Sequence, residues 1–557
     1  MANDVVKQEA PSQQRRPYLN LPGAVWNYIA IAVLLLPSFV WALRDRTVWP
    51  WDQAWYGQVS VELWYWLGHS WSQWLRVMAT GLPTKPPGIV WLGQFFVPLG
   101  GVLGSIETAL LLSILLTEFV MLAILFKIAQ IMVPKSRLVP LTAVCVAGGS
   151  QLFVGLSHQF LVEPLQALAV TWCFYIALRC DDWPKARIAV HLAAALVLGA
   201  LAKATTPLYC LLPCAYCGYR LLRRPWNFDF AAEWRSLSSR ALLLVLGPMG
   251  VACGLWYILN LRTVWQHVQE SSSGDVALNY GTRDTVLNKL IVWSRIFSQS
   301  FLDPYLSWGC LAAILLAIAV AIAMTVGSNE RLRIAPVTVL SITQTTLLLL
   351  VFSLNITVDS RYMYALLPGV VIVVTQVLAY LPRIALIGFT MLAIGQWALV
   401  NAVPVNMASH LAGESNWLLS LRADASEYEE LGRIVYATSD EKSGYYNIVG
   451  VEYPWLNANS ASFFAAKEQL RSGRHSYYTS LGYAEKDVDQ AMRRIEELQT
   501  RYVITVAEPF QSREPNFVNI VSLPVLEQIR RDSRFAEYPF ASEKGILLFR
   551  FTHSSGR

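Results

Sequence analysis

In a sequence poor in charge, two carboxylates and three cations stand where they could do chemistry. Asp52 follows Trp49-Pro50-Trp51 and precedes Tyr56 by four positions, so that on a helix both side chains share a face. A carboxylate flanked by tryptophans at a partly dry interface can act as general base on a hydroxyl group; the plainer alternative is that Asp52 caps an amphipathic helix. Lys85 stands in Lys85-Pro86-Pro87-Gly88, where two prolines stiffen the backbone and fix the ammonium in a place that suits a phosphate. Otherwise it snorkels to lipid headgroups. Lys203 and Arg361, the latter followed by Tyr362, are further cations at the ends of apolar runs. Glu163, just before Pro164, is either a second reactive carboxylate or a partner for a helix dipole. His158 is a base, a headgroup contact or an ordinary surface histidine. Glu118 sits in the middle of an apolar run, where an ionisable group is costly and functional by default, or held by a structural hydrogen bond.

The elements that must position these residues are membrane helices. The chain of 557 residues is 55% hydrophobic and only 15% charged, against roughly 25% charged in soluble domains. Its apolar residues fall into separate runs of about 16 to 26, long enough to span a bilayer. About eleven crossings are expected, over 26–43, 107–132, 140–157, 164–180, 188–202, 206–220, 241–260, 306–326, 334–354, 364–380 and 384–404. Residues 87–105 are broken by Pro86, Pro87, Pro98 and glycines and are expected to lie in the outer interface or dip into it without crossing.

With the basic N-terminus (Arg15, Arg16) inside, every inward-going run then ends in Lys or Arg, as the positive-inside rule requires. The clusters are Lys127, Lys135 and Arg137; Arg179, Lys185 and Arg187; Arg220, Arg223 and Arg224; Arg331 and Arg333; and Arg383. This threading puts residues 1–25 in the cytoplasm and a catalytic membrane domain at 26–404, whose first outer loop is 44–106. A soluble domain at 405–557 follows on the outer side. Seven tryptophans between Trp49 and Trp74 crowd the first outer loop, as amphipathic helices at the headgroup level would.

The tail alternates helical patterns (426–439, 486–499, 523–535) with short β-rich runs (446–451, 501–507, 545–551), which predicts a small α/β domain with a partly parallel sheet. It carries no glycine-rich nucleotide fingerprint. The net charge of +6 lies in topology signals between apolar runs, which discounts nucleic acid as a partner. All eight cysteines lie in or beside apolar runs, implying no disulfide framework. Cys214 and Cys217 form a lone C-x-x-C without the second pair that zinc needs, and read as packing residues.

In chain order these residues resemble the multispanning GT-C glycosyltransferases, especially the branch of the lipid A aminoarabinose transferase and the protein mannosyltransferases. Asp52-Gln53-Ala54-Trp55-Tyr56 resembles the family's D-E-x-x-Y, and Lys85-Pro86-Pro87-Gly88 with Trp91-Leu92 is similar to its K-P-P-x-x-x-W-L. Leu161-Val162-Glu163-Pro164-Leu165 looks like its second acidic site, Leu201-Ala202-Lys203-Ala204-Thr205 like its L-T-K-G, and Arg361-Tyr362 with Pro368 like its R-Y-x-x-x-x-x-P. Gln53, Glu163 and Ala204 stand where the family usually has Glu, Asp and Gly. The loss of the carboxylate at position 53 favours a single base without metal assistance.

The resemblance implies inverting transfer of a sugar from a polyprenyl-phosphate donor to a hydroxyl of a lipid, glycan or protein. The expected setting is the outer face of a bacterial inner membrane, with the tail in the periplasm and no cofactor or metal. Asp52 would be the base and Glu163 would orient hydroxyls. Lys85, Lys203 and Arg361 would meet the phosphate, with Tyr56, His158 and Tyr362 lining the substrate. The rivals are a lipid-linked glycan flippase or transporter, an oligosaccharide ligase or polymerase, and a non-catalytic receptor. A transporter would show repeats and broken helices near midplane, whereas this sequence has no internal repeat and its charges cluster at the outer surface.

Overall fold

The structure is a computed structural model that describes residues 21–223, 237–281, 283–328, 334–402, 425–439, 445–511 and 516–552. Arg15, Arg16, Arg224, Arg331 and Arg333, and with them part of the expected topology signal, lie outside these residues, as does the start of the tail.

Long apolar runs form the helices α1 (Leu21–Arg44), α4 (Ile106–Met132), α8 (Lys185–Ala202), α10 (Leu237–Ser272), α11 (Pro304–Ser328), α12 (Pro336–Leu354) and α14 (Arg383–Ala402). Between α1 and α4 come α2 (Trp51–His69) and α3 (Trp71–Thr80). Between α4 and α8 come α5 (Leu138–Gly148), α6 (Gln151–Ser157) and α7 (Glu163–Arg179). The helix α9 (Leu211–Arg223) follows α8, and α13 (Leu367–Leu378) continues a 3-10 turn over Ser360–Leu366.

Among the described residues eight helical stretches are long and apolar enough to cross a bilayer, or nine if α5 and α6, bent by 65°, make one span. All eleven expected crossings lie largely on helix. The difference comes from that bent pair and from α7 and α9, which have 17 and 13 residues, short of the usual ~20 for a full crossing. Residues 87–105 break into Gly88–Gly93, Val97–Leu99 and Gly100–Leu103, as the prolines predict.

The centre of the bundle is α4 against α7, with α1 and α5 beside α4 and α8 beside α7. Ser105 caps α4 by accepting the Thr108 N–H at 3.0 Å, the usual role of serine at this position. Inside, Glu118 is fully buried, and both its oxygens accept hydroxyls at 2.7 Å, from Ser157 and from Tyr364. Gly88 brings the proline turn close to the end of α8: a Cβ there would lie 2.6 Å from the Leu201 carbonyl oxygen.

The C-terminal region is a three-layer α/β unit. Its helices are α15 (Ala425–Thr438), α16 (Ala458–Ser472), α17 (Val488–Glu497) and α18 (Ser522–Arg531). The strands β1 (Tyr446–Val449), β2 (Tyr477–Ser480), β3 (Tyr502–Val506), β4 (Phe535–Tyr538) and β5 (Ile546–Phe551) are ordered 2-1-3-5-4. β1 runs parallel to β2 and β3, whereas β5 is antiparallel to β3 and β4. One face packs Leu431, Ile434 and Phe464 against the sheet and the other packs Ile495, Val525 and Ile529. The helix α16 and the strands β2 and β4 were not among the sequence expectations, and α16 is the helix that lies along α2.

Candidate active site

Helix α2 starts without a side-chain cap: Pro50 is extended and Trp51 takes φ +35°. A bulky residue in the left-handed region is an outlier that costs on the order of 1–3 kcal/mol and persists only where its surroundings impose it. The next residue is Asp52. Its Oδ1 lies 2.6 Å from Lys85 Nζ, with the two side chains 36% and 20% exposed. The ammonium is also held 5.7 Å and 5.8 Å from the Trp55 and Tyr56 ring centroids, within cation–π range. Burial pushes the Asp52 carboxyl up, but Lys85, and Arg361 after it, push harder the other way, so it is more acidic than an ordinary aspartate.

A second pair joins the start of α7 to the end of α8. Lys203 Nζ lies 3.0 Å from Glu163 Oε1 and 5.0 Å from the Tyr362 ring centroid. Burial alone would lower the Lys203 pKa, yet the Glu163 carboxylate more than offsets it and the ammonium is held charged. Glu163 Oε2 is buried and has no hydrogen-bond partner among the described residues, an acceptor left open.

A third pair lies just before α13. Arg361 reaches Asp359 Oδ2 through Nε at 2.9 Å and Nη2 at 2.6 Å, and Asp359 Oδ1 takes the Arg361 backbone N–H at 2.9 Å. Burial raises the Asp359 carboxyl, but Arg361 overrides it and leaves it below its usual value. Tyr209 anchors this turn by donating to the Tyr362 carbonyl at 2.9 Å. The charge of Arg361 is felt at Asp52, Tyr56 and Glu163, so the three pairs form one electrostatic cluster.

Of the residues expected from the sequence, Asp52, Tyr56, Lys85, Glu163, Lys203, Arg361 and Tyr362 therefore come together. His158 is not joined to them by any hydrogen bond or ion pair among the described residues. It stacks on Trp41 at 4.0 Å and 11°, and burial pushes its imidazole down to about 3. That leaves it neutral at ordinary pH.

Asp359 escaped the sequence reading although its spacing to Arg361 is local. His267 on α10 lies in the fields of Asp52 and Lys85. Tyr280 and Tyr483, whose hydroxyls meet at 2.6 Å, lie in the field of Asp52. Nothing in their local sequence marks these three, because only the fold brings them near.

Among the described residues no group of three or more His, Cys, Asp or Glu could hold a metal ion. Cys217 instead pairs with Cys180, sulfur to sulfur at 3.2 Å. A cavity of about 610 Å³ between α15 and α16, lined by Tyr428, Arg433, Phe464, Lys467 and Phe540, holds none of the three pairs. Two of its cations are already engaged, Lys467 by Glu107 and Arg433 by Glu430.

The overall fold is shared with solved structures of GT-C glycosyltransferases. The crystal structure of ArnT from Cupriavidus metallidurans in the apo state is similar, with a TM-score of 0.50 and 13% identity over 95% of this chain and 98% of that one. The arabinofuranosyltransferase AftD from Mycobacteria matches with a TM-score of 0.50 and 13% identity, covering 96% of this chain, which spans 40% of AftD. ArnT bound to undecaprenyl phosphate is matched at a TM-score of 0.47 and 15% identity, over 95% of this chain and 99% of that one. No family model matches the chain, and no curated protein does.

Proposed function

We propose that this protein transfers a sugar from a polyprenyl-phosphate donor to a hydroxyl acceptor, with inversion, at the outer face of a bacterial inner membrane. The observation that carries this reading is the Asp52–Lys85 pair at 2.6 Å, set beside two further cation–carboxylate pairs. In the resting site Lys85 neutralises Asp52. A donor phosphate competes for that ammonium, and once Lys85 turns to it the carboxylate is free to take a proton.

The acceptor oxygen then attacks the anomeric carbon as its proton passes to Asp52. The bond from that carbon to the phosphate oxygen breaks, and the electron pair leaves with the polyprenyl phosphate. Lys85, with Lys203 and Arg361, stabilises the phosphate charge as it grows. The open Oε2 of Glu163 accepts a sugar or acceptor hydroxyl. No metal or cofactor is part of this scheme. An enzyme on the outer face has no nucleotide sugars to draw on, and a lipid phosphate carries its sugar within the membrane.

In the same reading the membrane part, 26–404, crosses about eleven times, counting α7, α9 and the bent pair, with the tail from 405 outside. A lipid-linked glycan transporter would need its charges near midplane, whereas here the pairs gather at helix ends.

The test is transfer of labelled sugar from undecaprenyl-phosphate donors to a panel of lipid, glycan and peptide acceptors. Transfer by the native protein that is lost in a folded Asp52→Asn variant supports the assignment. Undiminished transfer in that variant removes Asp52 from the mechanism, and no transfer by the native protein brings the transporter reading forward.

A further inference from the structure

The turn that carries Asp52 is held from outside the membrane part of the chain. Ser460, in the first turn of α16, donates its hydroxyl to the Trp49 carbonyl at 2.7 Å. The Trp49 ring is stacked between Phe160, at 5.7 Å, and Phe463 of α16, at 5.2 Å. Phe463 packs so closely on α2 that a Cβ at Gly57 would come within 2.9 Å of its ring.

On the other side of Pro50, the Glu452 carboxylate lies in the field of the Trp51 indole and the Ala458 backbone N–H. Glu452 is itself fixed by Asn519, whose side chain takes its N–H at 2.8 Å and donates to its carbonyl at 3.3 Å. Further along, Lys467 of α16 meets Glu107 of α4 at 2.5 Å. The C-terminal domain is thus joined to the membrane part at Trp49, along α2 and at Glu107.

These contacts fall on Trp49 and Trp51, the residues that bracket Pro50 immediately before Asp52. Trp51 is also where the backbone takes φ +35°. Relaxation to an ordinary helical φ would turn the backbone by about 100° and change the direction from which Asp52 enters the site. Pro50 offers no side-chain cap, so the conformation must be imposed by tertiary contacts.

We propose that the C-terminal domain is a positioning element for the reaction: Glu452 and Ser460 hold the Trp49-Pro50-Trp51 turn in the conformation that aims the Asp52 carboxylate at Lys85. Both are positioning residues and neither touches the reacting atoms. The inference rests on the reading of Asp52 as general base.

The experiment uses the full chain in lipid nanodiscs, with Glu452→Ala, Ser460→Ala, the double variant and Glu452→Gln. Backbone amide exchange over 49–56 is expected to rise at least fivefold in the double variant while β1 and β3 keep their protection. In sugar transfer kcat is expected to fall at least tenfold with the donor KM within twofold, because the base is misplaced while the phosphate site stands. Glu452→Gln, which keeps the shape of the side chain and an acceptor oxygen facing Trp51, is expected to stay within threefold of the native kcat.

Unchanged exchange over 49–56, a loss carried by KM alone, or a Gln variant no better than Ala would each overturn the proposal. If the double variant loses protection in the sheet as well, Ser460→Ala alone carries the same comparison. If the native protein transfers no sugar from any donor, the catalytic reading fails, and the exchange arm still decides whether these residues hold the turn.

Discussion

Lys203, just past the end of α8, and Glu163 of α7 form the most deeply buried ion pair of the site, at 3.0 Å with the Glu163 side chain only 4% exposed. Removing one member of such a pair strands the other charge, which is where the largest stability effect is expected. Lys203→Ala should cost about 3 kcal/mol, and the double change Lys203→Ala with Glu163→Gln should cost less than the single one. Unfolding in detergent, read as a double-mutant cycle, checks this; additivity of the two changes would mean the pair is uncoupled.

Asp52 is held more acidic than its ordinary value of 3.8. A depressed carboxyl stays ionised down to low pH, and its base function is lost only as pH falls through the depressed value. The kcat/KM profile should therefore be flat on its acid side from about pH 7 to pH 5. Asp52→Asn should lower kcat by about a hundredfold or more at every pH in that range. An acid limb near pH 6 in the native protein would point to a different base.

Lys85 is bonded to Asp52 in the resting site and is assigned to the donor phosphate during transfer. Lys85→Ala should lower kcat/KM for the donor by roughly one hundredfold. Lys85→Arg should recover only part of this, since a planar guanidinium does not fit a site built around a point charge between two rings. Equal activity of the Ala and native proteins would place the phosphate elsewhere.

Glu118 accepts from Ser157 and Tyr364, both at 2.7 Å, and so links α4 and α6 to the turn that carries Arg361. With both oxygens engaged it serves the fold. Glu118→Gln should leave kcat within threefold of native and lower stability by about 1 kcal/mol. Loss of transfer in a variant of native stability would make it part of the reaction.

Much of this molecule was legible locally. Runs such as 107–132 and 306–326 are helical because nothing else satisfies a backbone in lipid, and prolines at 86, 87 and 98 broke the segment before the first of them as their missing N–H groups require. In the tail, periodicity located α15, α17, α18, β1, β3 and β5. It missed α16, where Phe463 and Phe464 face opposite partners, one α2 and the other the sheet, so no single apolar stripe marks the helix.

The sequence by itself determined which side chains could serve: Asp52, Lys85, Glu163, Lys203 and Arg361 are few, and each lies in or beside a segment that links apolar runs. Which carboxylate meets which cation was decided only by packing. Lys85 takes Asp52, Lys203 takes Glu163, and Arg361 takes Asp359. These contacts form across helices far apart in the chain, or across a turn whose shape its neighbours impose. Local residue pattern carries the period of a helix, but a charge pair at 3 Å depends on how helices approach one another, and that is fixed by the tertiary structure alone.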